Sequence, residues 1–104
     1  MSSRVYVVYE VTATPDPEIR AAYESYMRET HIRDVLETGC FIAARFATAA
    51  SGQCRTSYIA SQQEHLDRYL DQHAQRLRAD FTAHFPAGVG LTRDVWNVVE
   101  EWQM

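Results

Sequence analysis

The sequence predicts an α+β domain in which a four-stranded antiparallel sheet carries helices on one face. Three observations lead to this fold class. Four short segments are rich in β-branched and aromatic residues, two segments between them have apolar residues at helical spacing, and the two middle strand segments are separated only by a short turn. The order of elements is therefore βαββαβ. Because no repeat, linker or low-complexity stretch interrupts it, we expect one domain over residues 1–104.

The first strand is predicted over residues 5–14, VYVVYEVTAT, where apolar residues alternate between two faces. Thr14 or Asp16 can then cap a helix that has proline in its first turn. This helix is expected to run to about Thr30. Its apolar stripe consists of Ile19, Ala22, Tyr23, Tyr26 and Met27.

A bend or restart of this helix is expected near His31. At about 100° per residue, Ile32, Val35 and Leu36 would point away from the first stripe if the helix continued unbroken. The short segment that follows the bend is expected to end at Gly39, because glycine is favoured just after a last helical turn.

The second half of the chain supplies a hairpin, a helix and a last strand. Residues 40–48 and 54–61 are predicted as strands joined by the turn AASGQ. SQQE, residues 61–64, has the spacing of a capping box and opens the second long helix. The fourth strand is predicted within residues 92–102. One side of the second helix carries Leu66, Tyr69, Leu70, His73, Leu77 and Phe81.

Two crossovers joined by a hairpin match the split βαβ motif of a ferredoxin-like sandwich, in which both helices lie on one face of the sheet. If Val7 and Tyr9 face the helices, the opposite face is apolar as well. It presents Tyr6 and Val8, with either Trp96 and Val98 or Val95 and Val99 from the last strand. Such a face is costly to leave in water, and the same face of a second copy can cover it. We therefore expect a homodimer.

Charge and hydropathy argue against several partners. The formal charge is −4, and the ten basic residues, all arginine, are interspersed with acidic ones, so a nucleic-acid partner is not expected. No stretch approaches the roughly 20 apolar residues that span a bilayer. Glu10 interrupts the apolar run near the N-terminus without a small-residue cleavage site, so no secretory signal is expected either. The expected location is cytoplasmic.

No motif indicates a metal or a cofactor. The sequence contains no HExxH, no cysteine–histidine cluster, no GxGxxG and no GxSxG, so we expect neither. Cys40 and Cys54 fall at opposite ends of the predicted hairpin, more than about 20 Å apart at about 3.3 Å per residue. A disulfide requires Cα atoms within about 7 Å. Two free thiols are therefore predicted.

Two segments carry a resemblance to a known family: YMRETHIRDVLETGCF, residues 26–41, and RYLDQHAQRLR, residues 68–78. The chain resembles, over nearly its whole length, a small bacterial family of domains of unknown function in the dimeric α/β-barrel superfamily. It departs from the family pattern at Tyr26, where tryptophan is usual, and at Arg33, where proline is usual. The resemblance implies a ferredoxin-like fold and a homodimer. Relatives in the wider superfamily include cofactor-independent monooxygenases, haem-degrading enzymes and isomerases, with a ligand pocket between sheet and helices.

Histidines are the first candidates for chemistry. His73 falls within the apolar stripe of the second helix, so its imidazole should face the sheet and can serve there as a general base or ligand anchor. A core histidine satisfied by a hydrogen bond is the structural alternative. His84, in the last turn, is expected to cap the helix. His31 is expected to satisfy carbonyls at the bend, although that bend can also form the mouth of a pocket.

The candidate ligand-binding residues are aromatic and lie on the predicted inner faces: Tyr9, Tyr26, His31, Tyr58 and Tyr69. Phenols can orient a carbonyl or a phenolate, but tyrosine is also an ordinary residue at the boundary of a core. Arg45, in the middle of the second strand, lies either on the surface, at the dimer seam, or against an anionic group.

The sequence thus favours a homodimer that binds a small hydrophobic organic molecule in a pocket between helices and sheet. As an enzyme it would be a cofactor-independent oxygenase or isomerase that uses His73 with tyrosine hydroxyls. The alternative is a non-catalytic binding or assembly module whose core is filled by its own aromatic residues.

Overall fold

The computed structural model describes residues 5–104; the first four residues of the predicted domain lie outside the described residues. A four-stranded antiparallel sheet, with its strands in the order 43–48, 54–60, 6–15 and 89–98, carries the helices on one face, so the predicted ferredoxin-like α+β fold is confirmed. The elements are β1 (Tyr6–Pro15), a 3-10 turn (Pro17–Ile19), α1 (Arg20–Tyr26), a π turn (Met27–His31), α2 (Ile32–Leu36), β2 (Ala43–Thr48), β3 (Cys54–Ala60), α3 (Gln63–Gln72), α4 (Ala74–His84) and β4 (Val89–Val98). Every helix within residues 5–104 is too short or too polar to cross a membrane.

Strand β1 lies inside the sheet, between β3 and β4. Tyr9 is opposite Tyr58 on β3 and Val95 on β4, and two residues further along Val11 is opposite Arg93. Residues two apart on a strand, and residues opposite each other on neighbouring strands, point to the same face. The register therefore places Arg93 on the helix-covered face beside the tyrosines.

The bend predicted near His31 is a π turn. The amide of Ile32 donates to the carbonyl of Met27, five residues earlier, instead of four. The wider turn accommodates one additional residue and so rotates the rest of the helix by about 100°. Val35 in α2 is consequently as fully buried as Tyr23 in α1, although the two would lie on different faces of an unbroken helix.

The second long helix is interrupted at His73, and the prediction of a single apolar stripe is wrong. His73 separates α3 from α4 with φ −127° and ψ −33°. The interruption changes the helical phase, so Tyr69 and Ala74 are both buried although they would lie about 140° apart on an unbroken helix, and Leu70 is 40% exposed. The capping box also does not form, because the Ser61 hydroxyl pairs with the ring of His65, 3.2 Å away.

Strand boundaries differ from the prediction where the core takes precedence over propensity. Gly39 has φ 77° and ends the first helical region, as expected, but β2 begins only at Ala43 because Cys40 and Phe41 are buried under the helices. Strand β4 begins earlier than expected, at Val89, since β1 continues to Pro15 and pairs with it there.

The core between sheet and helices has two parts. One is built around Tyr9, Phe41, Tyr58 and Tyr69, and the other around Tyr23, Tyr26 and Met27. Aromatic rings dominate both, and their centroids are spaced by 4.5 to 6.5 Å.

Both cysteines are free, as predicted, and both are buried. Cys54 lies opposite Thr48 across the hairpin, at the end of the sheet away from Cys40. Burial raises the pKa of the Cys54 thiol, which keeps it protonated and unreactive in the folded chain.

Candidate functional site

A cavity of about 40 Å³ lies between sheet and helices, where the two parts of the core meet. Its walls are formed by Tyr9, Val11, Tyr23, Met27, His31, Tyr58, Tyr69, Arg78, Phe81, Leu91 and Arg93. A cavity that holds benzene measures about 150 Å³, whereas about 15 Å³ is enough for one water molecule. In this form the cavity takes water or one end of an organic molecule.

Three of the tyrosines predicted to bind a ligand lie together in the cavity wall. Tyr9 comes from β1, Tyr58 from β3 and Tyr69 from α3, and the Tyr9 ring centroid is 6.1 Å from that of Tyr58 and 5.9 Å from that of Tyr69. The Tyr9 hydroxyl accepts a hydrogen bond from Arg78 at 2.9 Å. Burial raises the pKa of Tyr69 to about 12, so its phenol is neutral at pH 7.

The Tyr58 hydroxyl is the most isolated polar group in the wall. The residue is 2% exposed, and its oxygen has no hydrogen-bond partner within residues 5–104. Burial raises the pKa of Tyr58 far above its usual range, so the group remains an O–H donor. Leaving such a group unpaired costs about 1–3 kcal/mol, which a ligand that accepts its hydrogen bond would recover.

Tyr26, the fourth candidate tyrosine, does not line the cavity. Its hydroxyl donates to Asp80 at 2.5 Å, and its ring lies 4.5 Å from that of His84. It thereby joins α1 to α4. Its ring centroid is 5.6 Å from that of His31, so it supports the cavity wall from behind.

His31 lines the cavity, which is the alternative that the sequence left open. The expectation that it donates to a carbonyl at the bend is wrong: its buried Nδ1 has no partner in the described part of the chain. Desolvation lowers the pKa of His31. The charges of Asp34 and Asp80 oppose this effect, and the Arg93 charge adds a smaller lowering. The imidazole is therefore neutral at pH 7, with one ring nitrogen free to exchange a proton.

His73 is half-buried at the break between α3 and α4 and does not line the cavity, and its ring centroid lies 6.4 Å from that of Tyr69. Arg76 lies 2.9 Å from its Nδ1, and since a guanidinium only donates, that nitrogen accepts. His84 behaves as predicted: its Nδ1 donates to the Asp80 carbonyl at 2.9 Å, in the last turn of α4.

Sequence reasoning missed the two arginines in the wall. Arg93 interrupts the inner face of β4 between Leu91 and Val95, a signal that becomes readable only once the strand register is known. Arg78 gave no signal, because its direction depends on the interruption at His73, which neither glycine nor proline marks. Within residues 5–104, no three histidine, cysteine or acidic side chains are grouped so as to hold a metal ion.

Residues 6–99 match the family of domains of unknown function DUF4286. No curated protein has a matching sequence. Among solved structures, a protein of unknown function from Nitrosomonas europaea has a TM-score of 0.69 at 10% identity, covering 99% of this chain and 98% of its own. A dimeric ferredoxin-like protein from an uncultured marine organism has a TM-score of 0.70 at 7% identity, covering 94% and 98%.

A monooxygenase of Streptomyces coelicolor, solved in complex with nanaomycin D, is also similar. Its TM-score is 0.65 at 15% identity, with 97% of this chain and 92% of that chain covered. At such low identities the likeness extends to the fold alone.

We expect His31 to make stability depend on pH. Folding lowers the pKa of His31, so the unfolded chain binds the proton more readily than the folded chain. The contribution of His31 to the free energy of unfolding is therefore fully present above the ordinary pKa of 6.5. It is lost as the pH falls from 6.5 through the pKa of the folded state. His31→Gln should remove this loss. Urea unfolding of both proteins at several pH values from about 5 to about 8 measures it. Identical slopes of unfolding free energy against pH would contradict the prediction.

Proposed function

The chain belongs to the DUF4286 family of domains of unknown function, and on that premise we propose that it is a homodimer in which each protomer binds a small, mainly apolar organic molecule between helices and sheet. The observation that carries the proposal is the aromatic cavity with two buried polar atoms, Tyr58 Oη and His31 Nδ1, that lack partners among the described residues. Buried polar groups are normally paired. A similar fold that was solved with nanaomycin D supports the proposal.

The cavity must widen to take a whole ring, and two side chains are suited to move. Arg78 and Arg93 line it but are largely exposed, and Arg78 is held at the wall by one hydrogen bond to Tyr9. Long arginine side chains reorient readily, and most ligand sites adapt by rotamer changes with little backbone movement. The rival interpretation, a non-catalytic binding or assembly module with a filled core, is favoured by the small present volume.

Binding is tested by titrating anisole, benzamide and benzoate into the protein and following amide shifts by NMR. We expect at least one probe to shift residues of the cavity wall. Val11→Phe and Leu91→Phe, which add bulk to that wall, should each weaken binding at least about tenfold, or 1.4 kcal/mol.

Val95→Phe is the matched control, because Val95 lies on the same face of the sheet, is 47% exposed and does not line the cavity. It should bind as the wild type does. A wild-type protein that binds none of the three probes would support the filled-core module instead.

The dimer part of the proposal rests on the uncovered face of the sheet. One row across it is apolar: Ala43, Ile59, Val8 and Trp96. Trp96 is 55% exposed, which is unusual for a side chain of this size unless something covers it. A row of this kind, facing its own copy across about 10 Å, resembles the interior of a β-sandwich.

The adjacent row fixes how two such faces fit. It reads Arg45, Ser57, Glu10 and Asp94. Glu10 is paired with Arg55 at 3.7 Å, whereas Arg45 and Asp94, on opposite edge strands, have no ion-pair partner within residues 5–104. A two-fold axis that runs parallel to the strands, between β3 and β1, places β2 of one protomer over β4 of the other. Residues of the same row then meet at the same level along the strands. The axis brings Arg45 opposite Asp94 of the partner subunit, with apolar row against apolar row.

We therefore expect Arg45→Glu and Asp94→Arg each to weaken the dimer by at least about tenfold, since each places like charges together, and the double variant to recover most of that loss. Arg28→Glu, on the helical side, is the control. Sedimentation over micromolar concentrations measures the dissociation constant. A wild-type protein that stays monomeric throughout would refute the dimer, and a double variant no better than the single ones would refute this axis.

A second candidate function uses the same pocket for proton transfer, the step that a cofactor-independent oxygenase or isomerase needs. His31, and not His73, is the group in position to perform it, because its neutral imidazole has an unpartnered nitrogen in the wall. Tyr58 can stabilise the resulting enolate oxygen by donating a hydrogen bond.

Exchange of the α-hydrogens of 2-indanone in D₂O, followed by NMR, tests this candidate. We expect the protein to accelerate exchange, His31→Gln to lose roughly 10²-fold of that acceleration, and His73→Gln to retain it. If His73→Gln loses the activity instead, the assignment made from the sequence is right and this one is wrong.

The cytoplasmic location expected from the sequence is part of the proposal. It is supported by the two unpaired thiols of Cys40 and Cys54, because a reducing compartment keeps cysteines in this form.

A further inference from the structure

The wall of the cavity carries positive charge without a compensating acid. Arg78 and Arg93 contribute two guanidinium groups, and the wall contains no aspartate or glutamate. This contrasts with the chain as a whole, whose formal charge is −4. Arginine remains protonated under all conditions in which the protein is folded. The site is therefore a local concentration of positive charge in an acidic protein.

Two acids whose charges act on the wall residue His31 are paired elsewhere. Asp80 accepts the hydroxyl hydrogen of Tyr26 and lies 3.8 Å from the ring of His84. Asp34 lies 3.8 Å from the guanidinium of Arg33. Neither side chain belongs to the cavity wall. Neither makes an ion pair with Arg78 or Arg93 within residues 5–104, although both charges act on His31 in the wall.

The arginines themselves are sparsely bonded. Arg78 donates to the hydroxyl of Tyr9, and the guanidinium of Arg93 makes no hydrogen bond or ion pair within residues 5–104. Both side chains line the same cavity, and both charges, together with that of Arg76, act on the phenol of Tyr69. A guanidinium has five N–H donors, so most of the donors at this site are available to a ligand.

We infer that the ligand carries an anionic oxygen, a carboxylate or a phenolate, on a planar apolar body. This inference rests on the proposed function and gives its ligand a chemical class. Arg78 and Arg93 bind the anionic oxygen, since a guanidinium offers charge-assisted N–H donors to either anion and matches a carboxylate with two parallel hydrogen bonds. Tyr58 donates a further hydrogen bond from the cavity floor, and the aromatic rings contact the ligand's apolar faces.

The volume of the cavity is consistent with a ligand that has a small anionic end and a larger apolar body. About 40 Å³ accommodates a carboxylate or a phenolate oxygen but not the ring that bears it. The anionic end is then enclosed by the arginines and Tyr58, and the ring enters as Arg78 leaves Tyr9 to bind the anion. The ligand thereby replaces the hydrogen bond that keeps the pocket narrow.

Two probe pairs test the inference, each pair nearly identical in shape and different in charge. Benzoate is compared with benzamide, and 4-nitrophenolate with 4-nitroanisole, by calorimetric titration at low ionic strength, where charge effects are strongest. We expect the anion of at least one pair to bind at least tenfold more tightly than its neutral partner. The pair with the larger ratio distinguishes a carboxylate ligand from a phenolate.

Four variants locate the effect. Arg78→Gln and Arg93→Gln should each reduce the preference for the anion at least fivefold while leaving the affinity for the neutral probe within twofold. Tyr58→Phe should do so without any change of charge. Arg76→Gln is the control for Arg78, because it removes the same charge from the same helix but its guanidinium lies on His73, outside the wall. Thermal melting of each variant verifies that it is folded.

The outcomes separate this inference from the proposal beneath it. If benzamide and 4-nitroanisole both bind as tightly as their anions, the pocket binds small molecules and the anionic class is wrong. If Arg76→Gln weakens the preference as much as Arg78→Gln, the effect is one of overall charge and the inference is also wrong. If no probe binds the folded wild type, the pocket proposal itself fails.

Discussion

The hydrogen-bonded register of β1 determines where the side chains of the candidate site lie. As an inner strand it is paired on both sides, with Tyr9 opposite Tyr58 and Val11 opposite Arg93. Side chains on a strand alternate between faces, so a slip of one residue would turn Tyr9 toward the outer face and bring Glu10 into the core. The same pairing sets the apolar and charged rows of that outer face. Cavity and outer face are therefore two consequences of one register.

The helical regions are interrupted twice, and each interruption determines where one histidine side chain lies. The π turn at Met27–His31 accommodates one additional residue, and His31 lies in the cavity wall at its end. The interruption at His73 leaves that side chain beside Arg76, and the helix that follows supplies Arg78 to the wall. π turns such as this one recur at functional sites. Here both interruptions act by changing which side of a helix faces the sheet.

The sequence was sufficient for the order of the elements because two strong periodicities record it. Alternation in VYVVYEV predicts a half-covered strand, and the spacing of Tyr23, Tyr26 and Met27 predicts a helix face. The free cysteines followed from hairpin geometry alone. The site was less predictable, since it depends on where the helical phase changes. The apolar residues before and after His31 indicate the change at the π turn, whereas no residue around His73 indicates the second change. Tyr9, Tyr58 and Tyr69 were identified because their inner position follows from the pattern, and the arginines were missed because it does not.

The position of β4 at the edge of the sheet has a consequence for solubility. Only β1 pairs with it, so along ten residues its outer side presents backbone amides and carbonyls without a strand partner within the described chain, flanked by the exposed Val95 and Trp96. An apolar edge of this length is a template for strand addition and aggregation. Arg93 and Asp94 interrupt it with two charges at its middle, the kind of gatekeeper that discourages such pairing. The charges of Arg93 and Asp94 thereby oppose the pairing of this edge strand with the edge strand of another chain.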